Sequence, residues 1–208
     1  MKKALIISGG DFSPVKINTY DICIACDKGA SYAQRMNIVP DYIVGDFDSL
    51  TNYDFSNFPK DKILSFPAKK DDTDTMLAIK HAITLGCKDI TILCALGNRL
   101  DHTLANIQSL QFIADKGYKG RILSQNESLI TLSSKETASI EKKEGFSLSL
   151  FSLSDSCKGL YINGSEYDVE NITLTNTFPL GISNHFKDEK VEIRIDSGIL
   201  LIVLSRIQ

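Results

Sequence analysis

Three short segments of this 208-residue chain set carboxylates beside glycine, hydroxyl or basic residues: Val44-Gly45-Asp46-Phe47-Asp48-Ser49, Asp71-Asp72-Thr73-Asp74 and Gly97-Asn98-Arg99-Leu100-Asp101-His102. In the first, two carboxylates two residues apart in an extended segment point to the same side, an arrangement that can hold a hard divalent cation through oxygen. In the second, Asp72 or Thr73 is suited to cap a following helix, with Asp74 in its first turn near the positive end of the dipole. The third combines Arg99 with Asp101 and His102. Carboxylates that repel one another coexist where a metal or a basic partner neutralises them. Mg2+ suits such donors, because it takes oxygen ligands, keeps several waters and bridges substrate phosphates; the sequence has no His/Cys ligand set of the zinc type. Each Asp alone is equally at home in a turn or an N-cap. Their combination is what points to a metal and phosphate site.

Neither GxxxxGK[ST] nor GxGxxG occurs, so any nucleotide must be held by another arrangement. Ser8-Gly9-Gly10-Asp11 and Asp27-Lys28-Gly29-Ala30 follow apolar runs, and the first can bring backbone N–H groups close to a ligand or serve as a plain turn. Cys23 and Cys26 have metal-site spacing but lie within an apolar run and have no second pair. In a strand, residues three apart face opposite ways, so both read as buried small hydrophobes.

The elements that must position these residues change character along the chain. Ala4 to Ile7, Ile22 to Ala25, Tyr42 to Val44, Ile63-Leu64, Ile90 to Leu96 and Arg121 to Leu123 read as strands, with helices over Ala30 to Met36, Thr73 to Leu85 and Thr103 to Lys116. In the second helix Met76, Leu77, Ile79, Ala82 and Ile83 form the expected apolar stripe, and Gly86 the stop. Continuous apolar strands alternating with helices indicate a mostly parallel sheet covered on both faces, a three-layer α/β/α domain over residues 1–123. The three acidic segments then meet at the carboxyl edge of the sheet, where ligands of open α/β folds collect. Beyond residue 123 the period drops to two, as in Phe146 to Leu153 and Val191 to Ile195, with turn signals at Asn163-Gly164 and Ser197-Gly198. Residues 124–208 therefore read as an antiparallel β-sandwich.

Composition restricts the partners. The formal charge is −3, with +1 up to Arg121 and −4 after it, which disfavours a broad nucleic-acid surface. No segment reaches the ~18 consecutive apolar residues of a membrane span, and the apolar run after Met1-Lys2-Lys3 is too short for a signal peptide. Five cysteines are an odd number without framework spacing. The expected setting is the cytoplasm, away from membranes.

The ordered set of motifs resembles the bacterial thiamine pyrophosphokinase family. Gly45-Asp46-Phe47-Asp48-Ser49 is similar to its GDxDS motif, Asp71-Asp72-Thr73-Asp74 to its DxTD segment and Gly97 to His102 to its G-x-R-x-DH segment; Asp27 to Ala30 and Gly181-Ile182-Ser183-Asn184 also resemble family segments. Asn98 stands where a second Gly is common. The resemblance implies transfer of the β,γ-diphosphate of ATP to the hydroxyl of thiamine, yielding thiamine diphosphate and AMP. It implies Mg2+ on Asp46, Asp48 and Asp74, with Asp71 as a helper, Arg99 clamping phosphate, and Asp101 orienting the thiamine hydroxyl or accepting its proton. Asp27, Lys28 and His102 would contact nucleotide, while Ser183 and Asn184 would bond the aminopyrimidine ring and Phe186 or a partner's aromatic would stack on it. It further implies a homodimer with thiamine sites where subunits meet. Two other readings share part of this pattern: a diphosphotransferase for another heterocyclic alcohol, and a binding module without turnover.

Overall fold

The computed structural model describes residues 1–46, 58–66, 71–97 and 99–207. The chain forms two compact units, one of Met1–Ser109 with Ile122–Gln125, the other of Leu110–Arg121 with Asn126–Gln208.

In the first unit, strands β1 (Lys3–Ile7), β2 (Ile22–Cys26), β3 (Tyr42–Gly45), β4 (Ile63–Ser65) and β5 (Asp89–Leu93) alternate with helices α1 (Gly29–Arg35) and α2 (Asp74–Thr84). All pairings are parallel: β1 lies between β5 and β2, followed by β3 and β4. Every residue of β2 and of β5 is buried. Because successive side chains face opposite ways, total burial requires cover on both faces. Tyr32 and Ala33 of α1 join Leu5, Ile7 and Cys23 on one face. On the other, α2 reaches Ser8 and Cys26 through Thr75 and the Asp74 carbonyl. The expected α/β/α layering is therefore present.

Local chemistry sets the helix ends. Thr73 Oγ1 accepts a hydrogen bond from the Met76 N–H at 3.2 Å, so Thr73 is the cap and Asp74 the first helical residue. Gly86, at φ +84°, ends the helix as expected. The buried face of α2 is Thr75, Ala78, Ile79 and Ala82. Met76, Leu77 and Ile83, expected in that stripe, are only half-buried; small residues let the helix lie close on the sheet. Strand β5 stops at Leu93, three residues before the end of its apolar run, because Cys94 turns left-handed at φ +53°. Helix α3 (Leu100–Asp115) starts three residues earlier than its apolar pattern indicates. Asp101 and His102 thus belong to its first turn, where negative charge suits the dipole. Strand β6 (Lys119–Leu123) follows.

The second unit contains β7 (Glu127–Ser133), β8 (Thr137–Glu141), β9 (Phe146–Ser152), β10 (Ser156–Asn163), β11 (Val169–Thr175), β12 (Gly181–Asn184), β13 (Lys190–Arg194) and β14 (Ile199–Arg206). They pair antiparallel in the orders β12-β9-β14-β7 and β11-β10-β13-β8. Strands β9 and β13 alternate buried and solvent-facing residues, and Leu148, Leu150, Leu160, Ile162, Val191, Ile193 and Ile202 fill one core. This is the expected sandwich.

Candidate active site

Parallel strands bring their carboxyl ends to one edge, and the loops leaving β1, β2 and β5 meet there with the end of β3. Their backbones are joined tightly. The N–H groups of Ser8, Gly10 and Asp11 donate to the carbonyls of Leu93, Cys94 and Leu96 at 2.8–2.9 Å. The Ser8 to Asp11 loop therefore closes on the loop after β5, and these N–H groups are not offered to a ligand as the sequence pattern had allowed. Asp27, at φ +43°, donates its N–H to Val44. Its carboxylate occupies the space that a Cβ on Gly45 would need. A residue without a side chain at the end of β3 is thus what allows the β2 loop to hold a carboxylate against it.

Two adjoining cavities open at this edge. One, of about 350 Å3, is lined by Ser8, Asp27, Thr73, Asp74, Thr75 and Asn106. The other, of about 270 Å3, is lined by Asp11, Ala95, Leu96, Gly97 and Thr103. Gly9, Gly10, Lys28, Arg99 and His102 border both. Asp27, Lys28, Asp74, Arg99 and His102, drawn from three separate segments of the sequence, are therefore brought to one place. Asp46 follows Gly45, the residue against which the Asp27 carboxylate lies, and is half-buried. Asp71 is exposed ahead of the α2 cap, and Asp72 is taken by Lys80 at 2.6 Å. Asp48 lies outside the described residues.

The charged groups pair in a particular way. The Arg99 guanidinium donates two hydrogen bonds to Asp101, at 2.6 and 3.3 Å. Chiefly through that bond, the Asp101 carboxyl is held below its ordinary pKa and Arg99 is raised. In this pairing the carboxylate is placed to orient the Arg99 guanidinium. Beneath the first cavity, Ser8 Oγ and Thr75 Oγ1 lie 2.7 Å apart and buried. Asn106 donates its amide to the Ala95 carbonyl at 2.6 Å and fixes the loop after β5. The motifs single out neither Ser8, Thr75 nor Asn106 by spacing; the signal was polar residues at strand ends and one turn into helices.

Among the described residues, no three His, Cys, Asp or Glu side chains form a closed metal cluster. All five cysteines are buried thiols, and burial pushes Cys23 up to about 12. The donors at the edge suit Mg2+ all the same: it needs only one or two carboxylates, its other positions being water and phosphate oxygens. Asp27 and Asp74 line one cavity and supply oxygen only.

In the second unit, Ser183 is exposed, in a left-handed conformation at φ +59°, on β12, the end strand of its sheet. Asn184 is 7% exposed, and its amide is fully engaged inside the sandwich. Its Oδ1 accepts from the N–H groups of Tyr167 and His185, and its Nδ2 donates to Ser165 Oγ and the Tyr167 carbonyl, all at 2.9–3.0 Å. With four bonds made, the amide has no group left for a ligand. Phe186 packs against the sandwich core. Around β12, Phe178, Leu180 and Ile182 are exposed.

A family model described as thiamin pyrophosphokinase, catalytic domain, matches residues 15–120, and one described as thiamin pyrophosphokinase, vitamin B1 binding domain, matches residues 136–200. The chain is 29% identical to the thiamine pyrophosphokinase of Bacillus subtilis (strain 168), over 99% of both chains. The crystal structure of thiamine pyrophosphokinase from Bacillus subtilis superposes with a TM-score of 0.87 at 26% identity, covering 100% of both chains. That of a thiamin pyrophosphokinase family protein from Enterococcus faecalis gives 0.82 at 25% identity, also over 100% of both.

Proposed function

The chain belongs to the thiamin pyrophosphokinase family, and from that premise we propose how its own residues carry the reaction. It is an enzyme that transfers the β,γ-diphosphate of ATP to the hydroxyl of thiamine, giving thiamine diphosphate and AMP. The observation that carries the residue assignment is the cavity at the sheet edge, where two carboxylates face the same space as Lys28 and Arg99.

In the reaction the thiamine oxygen bonds the β-phosphorus, the bond from that phosphorus to the α-phosphate oxygen breaks, and the hydroxyl proton is released. A nucleophile approaching a polyanion is disfavoured unless its charge is neutralised in advance, so most of the catalysis is positioning and electrostatics. Lys28, at the entry to α1, supplies a point charge and Arg99 a planar fork for phosphate oxygens. Asp101 holds that fork in position before substrate arrives and leaves the proton to another acceptor. Asp46, Asp74 and Asp48 are assigned to Mg2+, with Asp27 beside Asp46 and Asp71 as an outer helper. Held by these carboxylates, Mg2+ would supply positive charge that offsets the charge of the phosphates. His102 and the Ser8–Thr75 pair line the cavity assigned to the diphosphate.

On the thiamine side, Ser183 is assigned to the aminopyrimidine ring, and Asn184 is assigned to shaping the strand that presents it. The chain is assigned to a homodimer with thiamine held where subunits meet. The exposed apolar residues around β12, Phe178 among them at 66% exposure, support that reading. No helix among the described residues is long and apolar enough to cross a membrane. The chain is assigned to the cytoplasm.

The test is one incubation of purified protein with thiamine, ATP and Mg2+, followed by separation of the nucleotides. AMP formed in step with thiamine diphosphate is expected. ADP with thiamine monophosphate would overturn the reading, and no product would point to another alcohol or to binding alone.

A further inference from the structure

We propose that the second cavity seats the ribose of the nucleotide and that Asp11 reads its hydroxyls, an inference that rests on the function given above. The two cavities share a wall that carries Lys28 and Arg99. A triphosphate lying against those cations has its far end on the side of Asp27 and Asp74. Its nucleoside end must then enter the other cavity, where the acidic residue is Asp11. An ionised carboxylate has acceptors only, so it repels phosphate and selects a donor, either hydroxyl or amine. Next to the phosphate-binding wall, the donors at hand on a nucleotide are the vicinal hydroxyls of the sugar, the groups that acidic residues meet in dinucleotide-binding folds.

The geometry fixes Asp11 for this task. Its N–H donates to Leu96 and that of Gly10 to Cys94, each at 2.8 Å, and Tyr32 OH donates to the Gly10 carbonyl at 2.9 Å. The next residue, Phe12, is covered by the Arg35 guanidinium at 3.5 Å and leans on Tyr32 at 5.1 Å. The Asp11 carboxyl lies over the α-carbon of Gly97, where an added Cβ would come within 2.6 Å of Asp11 Cγ. Exposed to the cavity, that carboxylate has no hydrogen-bond or ion-pair partner among the described residues. A preset acceptor without a protein donor is what a sugar diol completes.

The test is calorimetric binding of AMP, 2′,3′-dideoxyadenosine monophosphate and IMP to the wild-type chain, Asp11→Ala and Asp11→Asn. The wild type is expected to prefer AMP to the dideoxy nucleotide on the order of tenfold, the preference of a hydrogen bond to a charged group. Asp11→Ala should bring that ratio to about one, and the isosteric Asp11→Asn, which guards against misfolding, to about threefold. Unchanged dideoxy discrimination in both variants overturns the proposal. So does a change confined to AMP against IMP, which would mean that the carboxylate reads the base. Initial rates with thiamine separate the two inferences. Diphosphate transfer without an Asp11-dependent ratio removes the ribose assignment alone, whereas the ratio without transfer removes the reaction and leaves the assignment standing.

Discussion

Replacing Asn184 with Ala should cost about 3 kcal/mol of stability, because the amide it removes serves the sandwich and not the substrate. Four hydrogen bonds disappear: from the N–H groups of Tyr167 and His185 to Oδ1, and from Nδ2 to Ser165 and the Tyr167 carbonyl. At a net ~0.5–1.5 kcal/mol each they sum to roughly 2–6 kcal/mol. The lower half of that range applies because Tyr167 is exposed and its backbone groups can take up water, whereas Ser165 is buried and cannot. With an m-value of about 2 kcal/mol/M in urea, the unfolding midpoint should fall by about 1.5 M. The chain has seven Tyr and no Trp, so tyrosine fluorescence reports the transition directly. Asn184→Asp keeps both acceptors for the N–H groups and loses both amide donors, and its midpoint should fall between the two. Ser183→Ala, at an exposed position, should leave the midpoint in place and raise the thiamine KM. A midpoint for Asn184→Ala within about 0.3 M of wild type, together with a large rise in thiamine KM, would refute the reasoning and return the amide to the ligand.

Asp74→Asn and Asp46→Asn should each lower kcat by about a hundredfold or more with unchanged far-UV circular dichroism; near-normal turnover in both would remove the metal-ligand assignment. Gly45→Ala should push the Asp27 carboxylate aside, raising the Mg2+ concentration needed for half-maximal rate and costing about 1–3 kcal/mol of stability; an unaltered Mg2+ titration would show that Asp27 is not needed there. Arg99 lowers the pKa of Asp101 in the folded protein, so what the pair adds is complete above the ordinary carboxylate pKa and is lost only as pH falls through the lowered value. Asp101→Asn should therefore reduce kcat/KM for ATP about tenfold while keeping the shape of the pH–rate profile from about pH 5 to 9; loss of its acid limb would make Asp101 the proton acceptor.

The α/β layering was legible because strands buried on both faces are continuous apolar runs, and β1 and β2 are such runs. The sandwich was legible because a strand with one buried face alternates, as β9 does. Asp74 and its cap Thr73 could be placed because N-capping is local chemistry. The sequence by itself thus determined the fold class, the family and the sheet edge on which the charged residues gather. Tertiary structure decided what depends on groups distant in the chain. Only packing shows that Asp27 fills the space left by Gly45, that Arg99 turns to Asp101, and that the N–H groups of Gly10 and Asp11 are taken by the loop after β5. Asn184 makes the same point: its motif suggests a ligand, but the orientation of an amide is set by which donors and acceptors surround it, and no sequence spacing encodes them.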